Sequence, residues 1–334
     1  MHVLVTGGGG FLGRYIVEQL VARGDRVRSF GRGKYPELTA LGVEVVRGDI
    51  ADRESVLNAC AGVDAVIHAA ALPGIAVQWT PYERANVHGA EHVLEGCRAH
   101  AISRLVYTSS PSVVFAGVDQ CGLDEQTPYD FAWMEANAAH YSRSKAIAEQ
   151  AVLAANDATL GTCALRPHLI WGPRDNHLIP RLIERARAGR LRRVGDGGNH
   201  IDTIYVENAA AAHLQALDAL SGDRSRVAGK AYFLSQGSSV NCWDWIDEIL
   251  ALVDLPPVAK SISYASARRA GSLCEMIFRT FNIKAEPPMT RFLAAQLATS
   301  HWFDLSAARR DFGYTPAVSM AEGMRRLGAW LQKP

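Results

Sequence analysis

Tyr141-Ser142-Arg143-Ser144-Lys145 sets a phenol and an ammonium four residues apart, so on a helix both project from one face. A free phenol, with a pKa near 10, is a reluctant proton donor or acceptor at neutral pH, and a nearby ammonium favours the phenolate. The pair suits acid–base chemistry in which Tyr141 moves the proton and Lys145 lowers the phenol's pKa. Upstream, Ser109-Ser110-Pro111-Ser112 follows the apolar run Leu105-Val106-Tyr107-Thr108. Ser110 is the choice there for a hydroxyl that hydrogen-bonds a substrate oxygen as charge develops on it. Without Tyr141 and Lys145 an ordinary turn would be an equal reading of these serines.

A second cluster offers binding rather than bond-breaking. Thr6-Gly7-Gly8-Gly9-Gly10-Phe11-Leu12-Gly13 comes directly after Val3-Leu4-Val5 and before a helical pattern, the context in which glycines hold a dinucleotide. Gly7 and Gly10 permit a tight turn and backbone approach to a pyrophosphate, and Gly13 lets helix pack closely on strand. The run satisfies G-x-x-G-x-x-G and G-x-G-x-x-G alike. The second strand ends in Gly31-Arg32-Gly33-Lys34, without the acid that holds the ribose 2′-hydroxyl of NAD. A guanidinium at Arg32, helped by Lys34, suits a 2′-phosphate. NADP(H) is the expected cofactor, with NAD(H) the alternative. Asp49 and Ile50 after the third strand suit the amino group and face of an adenine. Ala69, Ala70 and Ala71 after the fourth let a cofactor lie close to the backbone.

These side chains need a scaffold that brings strand ends and helix starts to one edge. Short Val/Ile-rich runs at 3–6, 26–30, 43–47, 65–68, 105–108 and 162–165 alternate with helical patterns at 11–23, 52–60, 82–100 and 139–155. Such alternation predicts an α/β chain with a doubly wound parallel Rossmann sheet. After Arg166, prolines and glycines break the pattern until helical segments resume near Val206 and Asn241. The expected organisation is a dinucleotide-binding domain over 1–166 that takes back a stretch at about 205–235, and a smaller, discontinuous substrate-binding region over 167–204 and 236–334.

Composition excludes several classes. With 334 residues the chain can bury a core without disulfide or metal staples. Its 35 Lys and Arg against 34 Asp and Glu leave no field to attract a polyanion, so nucleic acid is not an expected partner. The six cysteines lack metal spacing and read as reduced thiols of a cytoplasmic protein. His88-Gly89-Ala90-Glu91-His92 matches a zinc-protease pattern, but on a crossover helix with no third ligand in view; no metal is expected. No leader or apolar run of about 18 residues is read, so no transmembrane segment is expected. Leu273, Met276, Ile277, Phe278 and Phe281 form a helical apolar stripe, read first as core and second as a wall for a greasy substrate. Arg181, Arg185, Arg187, Arg190, Arg192 and Arg193 read as a solvated face, with steering of a carboxylate or partner as the alternative.

Together, the T-G-x-x-G-F-x-G of Thr6 to Gly13, Gly48-Asp49-Ile50, Thr108-Ser109-Ser110, Asn86 in Ala85-Asn86-Val87-x-Gly89, Tyr141-x-x-x-Lys145 and Arg166-Pro167 resemble the extended short-chain dehydrogenases over nearly the whole chain. The resemblance implies a Ser110/Tyr141/Lys145 triad, with Lys145 also holding the nicotinamide ribose and Asn86 supporting the site. It counts Phe11 and Leu12 in the cofactor loop, lines the nicotinamide pocket with Pro167 and the residues after it, and implies a homodimer through the helices carrying Asn86 and Tyr141. Pro111 and the missing second-strand acid depart from the common sugar-epimerase pattern. The segments 166–177 and 287–292 resemble the 3β-hydroxysteroid dehydrogenase branch. Asn156-Asp157-Ala158 and the segment 185–191 resemble the 2-alkyl-3-oxoalkanoate reductases of bacterial long-chain olefin and β-lactone biosynthesis. That likeness implies NADPH-dependent reduction of a hydrophobic β-keto acid to a β-hydroxy acid, in a complex with other enzymes of the pathway. The alternatives are a 3β-hydroxysteroid dehydrogenase, an NAD-dependent nucleotide-sugar epimerase or dehydratase, and a silent dinucleotide sensor.

Overall fold

A computed structural model describes residues 1–221 and 226–332 of the chain. Residues 222–225 of the predicted returning stretch and 333–334 of the predicted substrate region lie outside the described residues.

Seven strands form the central sheet in the order Lys230–Leu234, Gly161–Pro167, Arg104–Thr108, Ala65–His68, His2–Thr6, Arg26–Gly31 and Glu44–Arg47. Every neighbouring pair is parallel, so each connection must cross over one face of the sheet. That is why the inner strands read as unbroken apolar runs: all five residues of His2–Thr6 are buried. From His2–Thr6 the chain first works outward to Glu44–Arg47, then returns to the other side at Ala65–His68. This reversal leaves a crevice at the carboxyl ends of the strands.

Two apolar layers cover the sheet. One joins Ile16, Val17 and Leu20 to Ala209, Ala216 and Leu217 of the helix Val206–Ala219. The other joins Val56, Val93, Cys97 and Val152. A third cluster around Trp171, Trp243, Trp245 and Ile246 organises the smaller region. It lies beside a four-stranded sheet of Val240–Asn241, His200–Ile201, His301–Phe303 and Gln120–Leu123.

Two elements differ from expectation. The helix expected over 82–100 begins at Thr80–Tyr82 and passes through a π-helical turn, Glu83–His88, before becoming α-helical at Gly89–Ala99. The wider turn turns Asn86 inward, where its side chain is fully bonded. The apolar stripe on the helix Tyr264–Thr280 is not core: Leu273, Met276, Ile277 and Phe281 are exposed. The helix packs instead through Ala267, Gly271 and Glu275: the first two are small enough for close approach, and Glu275 accepts hydrogen bonds from Arg291.

Candidate active site

At the switch in strand order lies a cleft of about 550 Å³. Gly7, Gly10, Arg32, Asp49, Ile50, Ala70 and Ala71 all line it, with Tyr35 and Arg84. Gly7 has φ +71°, and a Cβ there would come within 2.9 Å of the Ala70 backbone. A Cβ on Gly13 would come within 2.1 Å of the Gly7 carbonyl oxygen. The glycines are therefore required by contact as well as by turn geometry. The helix Phe11–Ala22 starts at Gly10 with no side-chain cap and no acid in its first turn, leaving N–H groups and a positive dipole end for an anion. Arg32 is exposed at the cleft and makes no ion pair among the described residues. Close backbone approach, an uncapped helix start and a free guanidinium fit a dinucleotide.

Several other expected residues do not line this cleft with their side chains. Lys34 is exposed outside the cleft lining. Phe11 and Leu12 pack partly into the core, Phe11 edge-on against Tyr15. Ala69 contributes its backbone, whose carbonyl carbon would lie 3.2 Å from a Cβ on Gly7. The side chains at 11 and 12 belong to the helix flank, so what these two residues offer the crevice is their backbone N–H groups at the uncapped helix start. Tyr35 was not foreseen. It adopts left-handed backbone geometry (φ 45°), and its ring lies where a Cβ on Gly9 or Gly33 would approach to 2.2 or 2.4 Å.

At the catalytic end, Tyr141 and Lys145 stand on the helix His140–Ala154, and Ser110 follows the strand Arg104–Thr108. Ser110 caps a short 3-10 turn, accepting from Ser112 N at 3.2 Å and sharing a 2.9 Å hydrogen bond with the Ser112 hydroxyl. Its hydroxyl lies near enough to the Tyr141 phenol to favour the phenolate. Lys145 Nζ donates to the Thr108 carbonyl and sits 4.2 Å above the Tyr107 ring centroid. Asn86 accepts from Leu72 N at 2.7 Å and donates to Leu72 O and to Ser144 Oγ. It thus ties the segment after the fourth strand to the catalytic helix. Pro167 closes the strand Gly161–Pro167, fully buried. The structure brings Ser110, Tyr141, Lys145 and Asn86 together from three separate elements.

The electrostatics correct one expectation. Burial pushes the Tyr141 phenol up to about 12, opposed by the nearby Ser110 hydroxyl, so the phenol is not lowered. The reason is directional: the ammonium points at the Thr108 carbonyl and the Tyr107 ring. Burial brings Lys145 itself down to about 7, resisted by the charge of Glu149. Glu149 is fully buried and salt-bridged to Arg166, with N···O at 2.5 Å, and accepts from the Tyr129 hydroxyl. Burial and Lys145 together drive His68 down to about 3, so that imidazole stays neutral.

The sequence missed Ser144, Glu149, Arg84 and Tyr35. Ser144 and Glu149 carried a signal, since Ser144 lies three residues after Tyr141 and Glu149 four after Lys145. Arg84, two residues before Asn86, needed the π-helical turn to place it. The paired histidines do not converge: His88 bonds Glu91, and His92 faces the Ile50 carbonyl. Among the described residues, no group of three or more His, Cys, Asp or Glu is placed to hold a metal.

Residues 4–261 match the 3-beta hydroxysteroid dehydrogenase/isomerase family. A 2-alkyl-3-oxoalkanoate reductase of Stenotrophomonas maltophilia is 52% identical over 98% of this chain and 99% of its own. A protein of the same name from Shewanella oneidensis is 46% identical over 99% of this chain and 86% of its own. The mouse sterol-4-alpha-carboxylate 3-dehydrogenase, decarboxylating, is 33% identical over 96% and 88%. Among solved structures, the UDP-glucose 4-epimerase of Thermus thermophilus in complex with NAD superposes with a TM-score of 0.75 at 23% identity, over 99% of both chains. At that identity the likeness shows the fold alone.

Proposed function

Because the chain belongs to the 3-beta hydroxysteroid dehydrogenase/isomerase family, whose members are NAD(P)-dependent oxidoreductases, we propose that it reduces the ketone of a hydrophobic 2-alkyl-3-oxoalkanoate to the 3-hydroxy acid, with NADPH as the preferred donor. The observation that carries this reading is the Ser110–Tyr141–Lys145 convergence beside the glycine-loop cleft. Full-length similarity to two proteins named for that reaction supports the substrate class.

The glycine loop and Arg32 would hold a reduced nicotinamide dinucleotide, which when bound would supply the hydride for the ketone. Tyr141 Oη delivers the proton to the carbonyl oxygen. A phenol held near 12 is fully protonated at neutral pH, the state required of an acid, and it still loses its proton readily to the far more basic developing alkoxide. Ser110 Oγ donates a hydrogen bond to that oxygen as charge builds on it. Lys145 fixes the Thr108 strand end against the catalytic helix and stands ready for the nicotinamide ribose. Arg32 receives the 2′-phosphate.

The test is NADPH and NADH oxidation by wild type, Tyr141→Phe and Arg32→Ser, with a 2-alkyl-3-ketoacid and separately a 3-ketosteroid. Ketoacid turnover is expected to fall about 10²- to 10⁴-fold in Tyr141→Phe. Arg32→Ser is expected to lose the preference for NADPH by about 10- to 100-fold, the worth of a charge-assisted hydrogen bond. Turnover of the steroid alone moves the assignment to the sterol branch.

A further inference from the structure

We propose that the outward face of the helix Tyr264–Thr280 docks on an anionic lipid bilayer, lying in its surface rather than crossing it. The helix buries one narrow stripe, Ala267, Gly271 and Glu275. Its opposite side, with the turn that follows, carries Leu273, Met276, Ile277 and Phe281, exposed by 53, 58, 38 and 73%. These are four of the seven large apolar side chains exposed among the described residues, concentrated on one element, which scattered surface leucines do not do. Arg268, Arg269, Arg279 and Lys284 stand on the same helix and its C-terminal extension, all exposed and without an ion pair among the described residues. The neighbouring carboxylates are already neutralised, Glu275 by Arg291 and Glu286 by Arg181. An apolar face bordered by unbalanced cations is complementary to an anionic headgroup layer: the aliphatic and aromatic groups enter the acyl boundary while the guanidinium groups stay among the phosphates.

The position of this face favours lipid over a protein partner. The extension of the helix borders the segment after the fourth strand, through Gln78 donating to the Ile283 carbonyl at 3.1 Å and Ile75 N donating to Glu286 at 3.2 Å. Thr290 and Phe292 line, with Gly74 and His140, a recess that reaches Tyr141. Gly271 backs so closely on Thr290 that a Cβ would approach its carbonyl carbon to 2.5 Å. Seating the helix in the headgroup layer therefore sets that recess at the bilayer surface. A ketoacid with two alkyl chains partitions into lipid, so the site would meet it there; this last step rests on the proposed substrate.

The test is co-sedimentation of the full-length protein with vesicles of phosphatidylcholine alone and of equimolar phosphatidylcholine and phosphatidylglycerol. Wild type is expected to pellet with the anionic vesicles and far less with the neutral ones. Each cation near an anionic surface contributes about fivefold, so Arg268→Ser/Arg269→Ser should lower partitioning at least tenfold, and Met276→Ser/Phe281→Ser by a similar factor. Circular dichroism checks that both variants fold. Wild type remaining in the supernatant with both vesicles overturns the proposal. So does undiminished binding by both double variants, or a dimer in solution that Met276→Ser/Phe281→Ser dissociates, since the face would then be covered by a second copy. The vesicles contain no ketoacid, so the readout is independent of the substrate assignment: vesicle binding with no ketoacid turnover would sink the substrate and leave the docking surface standing.

Discussion

The helices His140–Ala154 and Tyr264–Thr280 share an inward plan and differ in everything around it. Each buries a glutamate that an arginine from another element neutralises: Glu149 with Arg166, and Glu275 with Arg291. In the first pair the side chains are 0 and 2% exposed; in the second, 4 and 23%. The catalytic helix also buries Ser142, Ser144 and Lys145, of which Lys145 is held by the Thr108 carbonyl and Ser144 by Asn86. The other helix lies on the molecule through three residues and presents its bulky apolar side to solvent. Hydrophobicity alone does not decide which side of a helix is inside. Polar groups go in where partners satisfy them, and apolar groups stay out where no surface covers them.

The largest expected effect that separates the two helices is Glu149→Gln. It leaves Arg166 charged and buried without a counterion, and unfolding in urea should show a loss of about 3–5 kcal/mol. A loss under about 1 kcal/mol would mean that water already reaches the pair. Next is a slope with pH. The Lys145 value near 7 in the folded protein lies below its ordinary unfolded value of about 10.4, so between the two the unfolded chain holds the extra proton. Stability contributed by this group therefore rises with pH from about 7 to 10. Urea midpoints across that range should climb in wild type, and the Lys145 contribution to the climb should vanish in Lys145→Met.

Smaller effects test the outer helix. Glu275→Gln should lose about 1–3 kcal/mol, less than its counterpart, because Arg291 is partly hydrated. Gly271→Ala should lose about 1–3 kcal/mol in the same measurement, since its Cβ overlaps the Thr290 backbone. Met276→Ser should stay within about 0.5 kcal/mol of wild type; a larger loss would show that the stripe is covered by protein after all.

Much of the architecture was legible. The alternation of apolar runs and helical patterns predicted the doubly wound parallel sheet, because a strand buried on both faces has to be apolar throughout. The glycine loop was legible for a related reason: its turn, its close contacts and its helix start lie within a few residues of one another. The segment around Asn86 was not, since its π-helical turn answers to Leu72 and Ser144, one of them 58 residues away. Nor was Tyr35, whose ring rests on glycines from two different loops.

By itself, then, the sequence determined what is local: the sheet-forming runs, the anion-binding turn, the four-residue spacing of Tyr141 and Lys145 and the bare guanidinium at Arg32. Only the tertiary structure decided where the Lys145 ammonium points, that the Tyr141 phenol is raised rather than lowered, and that the stripe from Leu273 to Phe281 faces outward. Each of these depends on what a distant part of the chain places beside the group: the Thr108 carbonyl, the walls that exclude water from the phenol, and the Thr290 backbone that admits Gly271 and nothing larger.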